Sequence, residues 1–340
     1  MVIVMSTDAS QEDIQRVLDR LGEQNCRGEL TVGVERTIVT VVGPKSPALQ
    51  EDVRVLPRVE SVVLLSKSYE LAGRDSKGQG SVISVGGVTI GAGALTLIAG
   101  PGTVESREQI IGLARSLRDA GANLLTGGTL RPDQSPYAFR GLGEEGLRYL
   151  AEARDETGLG IVSEVANTGL VDVVARHADM LEISPFDMSN FGLLEAAAET
   201  GKPIILRRAR SATVDDWLLS AEHILYAGND QVVLCESGIR TYEPATRNTT
   251  DLSAIPILKE LTHLPVIVEP AHSAGQADLV EPLCLAAIAA GADGLMVEVH
   301  PNPAHALADG PQSLTPDQFV SLVGRITRLA PVVGRAAPAS

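Results

Sequence analysis

The sequence has few aromatic side chains, 3% of its 340 residues against 44% hydrophobic residues in all, so its core is packed from aliphatics. Positive charge is also scarce. With 28 Lys and Arg against 43 Asp and Glu the formal charge is −15, which excludes a protein that must offer a cationic face to a phosphate backbone. The three cysteines, Cys26, Cys235 and Cys284, are odd in number and have no CxxC spacing, so neither a disulfide framework nor a clustered zinc site follows. Cys235 and Cys284 read as small core residues in a reducing compartment. No apolar run reaches the roughly 18 residues that span a bilayer, and MVIVMSTDAS lacks the basic start and apolar stretch of a signal peptide. The expectation is a cytoplasmic protein with neither nucleic acid nor membrane as partner.

What is present is strongly patterned. VIVMS, QEDIQRVLDRLGEQ, LTVGVE, TIVTVVG, SPALQEDVRVL and VESVVLLS alternate as β-α-β-β-α-β over residues 1–66, the order of a ferredoxin-like α+β unit. Residues 67–81 are polar and rich in Gly and Ser, the composition of a linker. From 82 to 340, after a Gly-punctuated hairpin, SVISVGGVTIGAG, the apolar runs TLIAGP, NLLTGG, GIVSEV, MLEIS, PIILRR, QVVLCES, PVIVEP and GLMVEV recur with helical stretches between them. Strands of continuous Val, Ile and Leu are buried on both faces, and eight such units predict a closed (β/α)8 TIM barrel. No GxGxxG follows the first strand, which counts against an open dinucleotide-binding sheet.

Chemistry in such a barrel gathers at the C-terminal strand ends. Here these ends carry Gly102, Thr103, Thr126, Arg131, Asp133, Glu164, Phe186, Asp187, Arg207, Arg208, Glu236, Ser237, Arg240, His272, Glu298 and His300. Unpaired charges are costly to bury, so this one-ended crowding predicts a solvated pocket for a small anionic metabolite. Arg247, which shares a loop with Arg240, reads equally well as a brace for that loop. Trp217, the lone tryptophan, reads as helix packing, and RRAR is too short a basic run to form a patch.

The segments IAGPGTVES, SPYAFRGLGEEGL, CESGIRTYEPATRNTTDLSAIP, VEPAHSAG and VEVHPNPAHALADGPQSL resemble the type I beta group of 3-deoxy-D-arabino-heptulosonate 7-phosphate (DAHP) synthases. The likeness runs along essentially the whole chain. It implies condensation of phosphoenolpyruvate with erythrose 4-phosphate at a divalent metal, the entry to the shikimate pathway of aromatic amino acid biosynthesis. It further implies a homo-oligomer and an N-terminal domain of the kind that binds aromatic amino acids for feedback control.

Several family positions are changed. His272, Glu298 and Asp309 match three of the implied metal ligands, but Gly102 stands where the family has cysteine. Thr126, Asp133, Phe186 and Ser237 replace phosphate ligands, Asp187 replaces an asparagine, and Arg131 and Arg207 occupy lysine positions. The expectation is no cofactor, or a weakly held manganese or zinc ion. Glu164, Glu236 and His272, with Arg207, are the candidate catalytic residues. Arg131, Arg207, Arg208 and Arg240 are the candidate anion holders, suited to a small carboxylate handled by acid–base chemistry. Three functions stay open: a diverged enzyme near shikimate or specialised metabolism with little ordinary synthase activity, a catalytically silent homologue that regulates a partner enzyme of the aromatic pathway, and a synthase with a remodelled site.

Overall fold

The structure, a computed structural model, describes residues 1–32, 36–42, 46–63, 68–131, 135 and 137–338. The chain divides into two compact units, Met1–Ser68 and Tyr69–Ser340.

The first unit runs β1 (Val2–Met5), α1 (Gln11–Glu23), β2 (Arg27–Val32), β3 (Thr37–Val42), α2 (Pro47–Arg54) and β4 (Val59–Val63), with the antiparallel strands ordered β2-β3-β1-β4. This is the ferredoxin-like arrangement. β2 begins before the run LTVGVE, whose last three residues lie outside the described part. The start of α1 is written in its sequence: the Ser10 side chain accepts from the Asp13 amide while the Asp13 carboxylate takes the Ser10 amide, a reciprocal cap. Val17 and Leu21 of α1 then join Ile3, Met5, Val39 and Val41 of the sheet in one buried cluster.

In the second unit the hairpin β5 (Ile83–Val85) and β6 (Val88–Ile90) turns on Gly86 and Gly87, both at positive φ, which a two-residue hairpin turn requires. Eight parallel strands then close the barrel: β7 (Thr96–Gly100), β8 (Leu124–Thr126), β9 (Gly160–Glu164), β10 (Met180–Ile183), β11 (Ile204–Arg207), β12 (Val232–Glu236), β13 (Val266–Val268) and β14 (Gly294–Glu298). Strand β14 pairs back onto β7, Gly294 opposite Thr96. All eight apolar runs in the sequence are barrel strands. The helices between them are α3 (Arg107–Ala120), α4 (Glu144–Thr157), α5 (Val171–His177), α6 (Phe191–Glu199), α7 (Val214–Tyr226), α8 (Ala254–Leu261), the short α9 (Pro270–Ala274) with α10 (Ala277–Ala289), and α11 (Pro316–Leu329).

Side-chain alternation along each strand separates two apolar layers. One lies between strands and helices. The other fills the barrel interior: Ile98, Leu124, Val162, Met180, Ile205, Val233, Cys235, Ile267 and Met296, with Ile83, Val85 and Ile90 of the hairpin. Because the strand period is two, stepping two residues toward the C-terminal end from an interior residue stays on the inside. The step leads to Gly100, Thr126, Glu164, Glu182, Arg207, Ser237, Glu269 and Glu298. That register decides what faces the cleft.

The stretch expected as a linker, residues 67–81, differs. Residue 67 lies outside the described part, but 69–81 belong to the barrel unit and are tied to it at both ends, with 75–80 exposed between. Tyr69 and Ala72 are buried, and the Glu222 carboxylate of α7 accepts the amides of Leu71 and Ala72 at 2.9 and 2.8 Å. His263 meets the Leu71 carbonyl through Nε2 at 2.7 Å and the Ser81 hydroxyl through Nδ1 at 2.9 Å. A polar, aperiodic composition describes a segment whose own backbone is tied down by side chains far away in sequence, so it does not by itself mark a free linker. Among the described residues, no helix is long and apolar enough to cross a membrane.

Candidate active site

The C-terminal barrel mouth opens into two adjoining chambers. Arg131, Glu164, Arg207 and His272 line both.

The deep chamber is organised by Glu269. Following Val268 and preceding Pro270, it caps α9: its carboxylate accepts the His272 amide at 3.1 Å. One of its oxygens also meets His272 Nδ1 at 2.9 Å and Arg207 Nη2 at 2.7 Å. The other arm of Arg207 donates to Glu182 at 2.9 Å. Burial alone would lower the basicity of Arg207, but Glu269 and Glu182 more than offset it, and the guanidinium stays charged. Burial likewise opposes ionisation of Glu269, yet His272 and Arg207 hold its carboxyl below the usual range.

His272, Glu298 and Asp309 converge beside this network, their ligand atoms all within 4.8 Å of one another. Burial pushes the Glu298 carboxyl up to about 7, with Asp309 reinforcing it and His272 opposing. Burial would lower the His272 imidazole, but Glu298 and Glu269 outweigh it and hold it above its ordinary value. Gln312 donates its amide to the second Glu298 oxygen. Asp309 sits in the left-handed region at φ 57°, a conformation that Asp tolerates better than most residues. The next residue must be glycine, because a Cβ on Gly310 would lie 2.2 Å from the Pro303 carbonyl.

These residues suit a divalent ion. They supply one nitrogen and two carboxylates, and Asp309 Oδ2 is buried without a hydrogen bond, facing Arg131 Nη2 at 3.2 Å. Gly102 belongs to the same cluster. A Cβ there would stand 3.1 Å from Glu298 Oε1 and 3.2 Å from Asp309 Oδ2, so position 102 points at the ligands, and glycine offers them no donor atom.

The expected residues divide sharply. Thr126, Glu164, Arg207, His272 and Glu298 line the deep chamber; Phe186, Ser237 and Asp309 line the outer one. Arg131 is in place but engaged, donating to the Gly102 carbonyl at 2.8 Å beside Asp309. Glu236 and Arg208 are not in the cleft. Each follows an inward residue, Cys235 and Arg207, so each points out of the barrel, where Arg208 binds Glu236 at 3.0 Å and Asp251 at 2.9 Å. Glu236, assigned to catalysis, is instead fully buried, with its second oxygen on the Gly238 amide at 2.7 Å. Arg240 is exposed and lines neither chamber; its backbone N–H donates a hydrogen bond to the Arg210 carbonyl at 2.7 Å. Asp187 accepts from Ser184 and Asn190 in its own turn rather than facing the cleft. Asp133 lies outside the described residues. Glu182, Glu269, Arg210 and Arg247 line the cleft without having been singled out as site residues, and for the two glutamates the two-residue step from Met180 and Ile267 is the signal that finds them.

Comparison with known proteins agrees with this architecture. Residues 71–329 match the model of the DAHP synthetase I family, and residues 1–67 match the DAHP synthase ferredoxin-like domain. A phospho-2-dehydro-3-deoxyheptonate aldolase of Thermotoga maritima is 43% identical over 98% of this chain and 99% of that protein. A 2-dehydro-3-deoxyphosphooctonate aldolase of Syntrophobacter fumaroxidans is 31% identical over 73% of this chain and 91% of its own length. The crystal structure of a Thermotoga maritima DAHP synthase superposes with a TM-score of 0.85 at 41% identity, covering 98% of both chains. With its barrel, its ferredoxin-like unit and its converging ligand set, the chain belongs to the DAHP synthetase I family of aldolase-type enzymes.

Proposed function

We propose that this barrel is a diverged family enzyme that handles a small carboxylate by acid–base chemistry, with little ordinary condensation of phosphoenolpyruvate and erythrose 4-phosphate. The observation that carries the reading is the state of Arg207. The interior cation best placed to hold a phosphate is bound on both arms by buried carboxylates, Glu182 and Glu269. Among the described residues, four glutamates, at 164, 182, 269 and 298, line the deep chamber against Arg131, Arg207 and His272. A phosphate dianion entering there would meet carboxylates whose partners are already committed, and charge-assisted contacts to an anion need uncommitted donors. The outer chamber adds two further cations, Arg210 and Arg247, against Glu164 and Asp309. The cleft is therefore polarised, cation-seeking inside and anion-accepting at its mouth.

His272, Glu298 and Asp309 are the residues that would hold a manganese or zinc ion, which when bound would polarise a substrate oxygen. Glu269, itself held by Arg207, fixes the His272 ring through Nδ1. Glu164, on the inner face and bordering both chambers, is placed to exchange a proton with a ligand whose carboxylate rests at the mouth. Calorimetric titration with pyruvate and with phosphoenolpyruvate, each with and without manganese, tests the reading alongside an assay for the heptulosonate product. Pyruvate binding with negligible turnover is expected. Phosphoenolpyruvate binding and turnover at the level of an ordinary family enzyme would return the chain to the standard reaction.

A further inference from the structure

The outer chamber contains an open aromatic ring, which a phosphate cannot use, and an unpaired buried hydroxyl. Phe186 is 60% exposed at its wall, with the Arg210 guanidinium 4.8 Å from the ring centroid. Ser237 is 3% exposed, and its Oγ is buried with no hydrogen-bond partner. A buried hydroxyl left unpaired is costly, and a ligand that pairs it recovers that cost. An aromatic ring left open at a pocket wall gains by being covered with a flat apolar surface.

The same chamber has one loosely held cation. Arg247 lies 3.7 Å from Asp309 Oδ1, beyond hydrogen-bonding distance, with its side chain 42% exposed. Its position is built: Gly275, left-handed at the end of α9, leaves the space that the Arg247 stem fills, since a Cβ there would lie 2.9 Å from Arg247 Cβ.

We propose that the outer chamber takes a cyclic or aromatic hydroxycarboxylic acid, its carboxylate on Arg247, its flat body against Phe186 and its hydroxyl paired with Ser237 Oγ. This rests on the reading of the cleft as a carboxylate site and narrows it to a ring-bearing acid without phosphate. A phosphorylated open chain would leave the Phe186 ring uncovered. A small aliphatic keto acid likewise has no flat body to cover that ring.

Titration calorimetry on the full chain with 3-hydroxybenzoate, pyruvate and phosphoglycolate decides it. 3-Hydroxybenzoate is expected to bind more tightly than either, to weaken about tenfold or more in Phe186→Ala, and to weaken about three- to tenfold in Ser237→Ala. Pyruvate, which has no ring to lay against Phe186, is expected to lose less affinity than 3-hydroxybenzoate in Phe186→Ala. Phe186 is exposed, so its loss leaves the fold intact, and a melting curve on each variant checks this. If pyruvate binds and 3-hydroxybenzoate does not, or if Phe186→Ala leaves 3-hydroxybenzoate unaffected, the ring-acid inference is wrong while the carboxylate reading stands. If phosphoglycolate binds best, or no carboxylate binds at all, both are wrong.

Discussion

Arg207 and Arg208 are neighbours in sequence, nearly equally buried, and each bound by two carboxylates, yet they belong to different regions of the molecule. Arg207 points into the barrel mouth, among the groups that face a ligand. Arg208 points outward, where it joins Glu236 at the end of β12 to Asp251 ahead of α8 and lies 5.8 Å from the Trp217 ring centroid. One peptide step thus separates a charge that tunes a cleft from a charge that fastens a loop. Residue type and burial do not distinguish them; strand parity does.

The largest test of this contrast is to remove each arginine in turn. Breaking a buried ion pair by deleting one partner costs about 3–5 kcal/mol, because the other charge is left uncompensated. Arg208→Ala strands Glu236 and Asp251 and is expected to lose that much in urea unfolding, with no recovery on adding manganese. Arg207→Ala strands Glu182 and Glu269 beside the His272–Glu298–Asp309 cluster, where a divalent cation can compensate. Its loss is expected to shrink as manganese is raised. Equal manganese sensitivity in the two variants would break the inside–outside distinction.

A smaller and opposite effect is expected inside the cleft from Gly102→Cys. Position 102 has an ordinary backbone conformation, and its Cβ direction ends among Glu298 and Asp309 at 3.1–3.2 Å. That spacing is tight, so the neighbours must yield by a few tenths of an ångström, and a thiolate added there becomes a fourth, softer ligand. Zinc affinity measured by chelator competition is expected to rise at least about tenfold, equivalent to about 1.4 kcal/mol. The same substitution at Gly112, on the exposed face of α3, where a Cβ would meet nothing within 4 Å, is expected to leave zinc affinity unchanged.

How far the sequence could be read depended on which physical signal each feature left. The eight strands were legible because a doubly buried strand is a continuous aliphatic run, and TLIAGP or PVIVEP can be little else. Parity inside those runs was equally present but was not phased from the interior residue at four positions. In QVVLCES the inward residues are Val233 and Cys235, which sends Glu236 outward, whereas MLEIS and PVIVEP send Glu182 and Glu269 inward. Had each run been indexed from its interior residue, Glu236 and Arg208 would have left the site and the two glutamates would have entered it. Other features had no local signal. That Glu222 of α7 would bind the amides of Leu71 and Ala72 depends on a contact between groups about 150 positions apart.

That anchored segment supplies the smallest expected effect, and it separates tertiary hydrogen bonding from composition. Burial lowers the His263 pKa from its usual 6.5, although the Leu71 carbonyl opposes the shift. In the native state the neutral ring can donate from Nε2 to Leu71 and accept at Nδ1 from Ser81, and protonation would force Ser81 to accept from Nδ1 while it already accepts from the Lys77 ammonium at 3.0 Å. Since the folded value lies below the unfolded one, the unfolded chain binds more protons between the two. Stability is then full above about pH 6.5 and declines as the pH falls from there toward the folded value. Limited proteolysis is expected to leave 69–81 intact at pH 8 and to cut it modestly faster at pH 5.5. Comparable cutting at both pH values would show that His263 does not hold the segment. In Glu222→Gln the carboxylate that takes both amides is weakened, and cutting is expected to rise at pH 8 as well, leaving the pH dependence in place because it belongs to the other anchor.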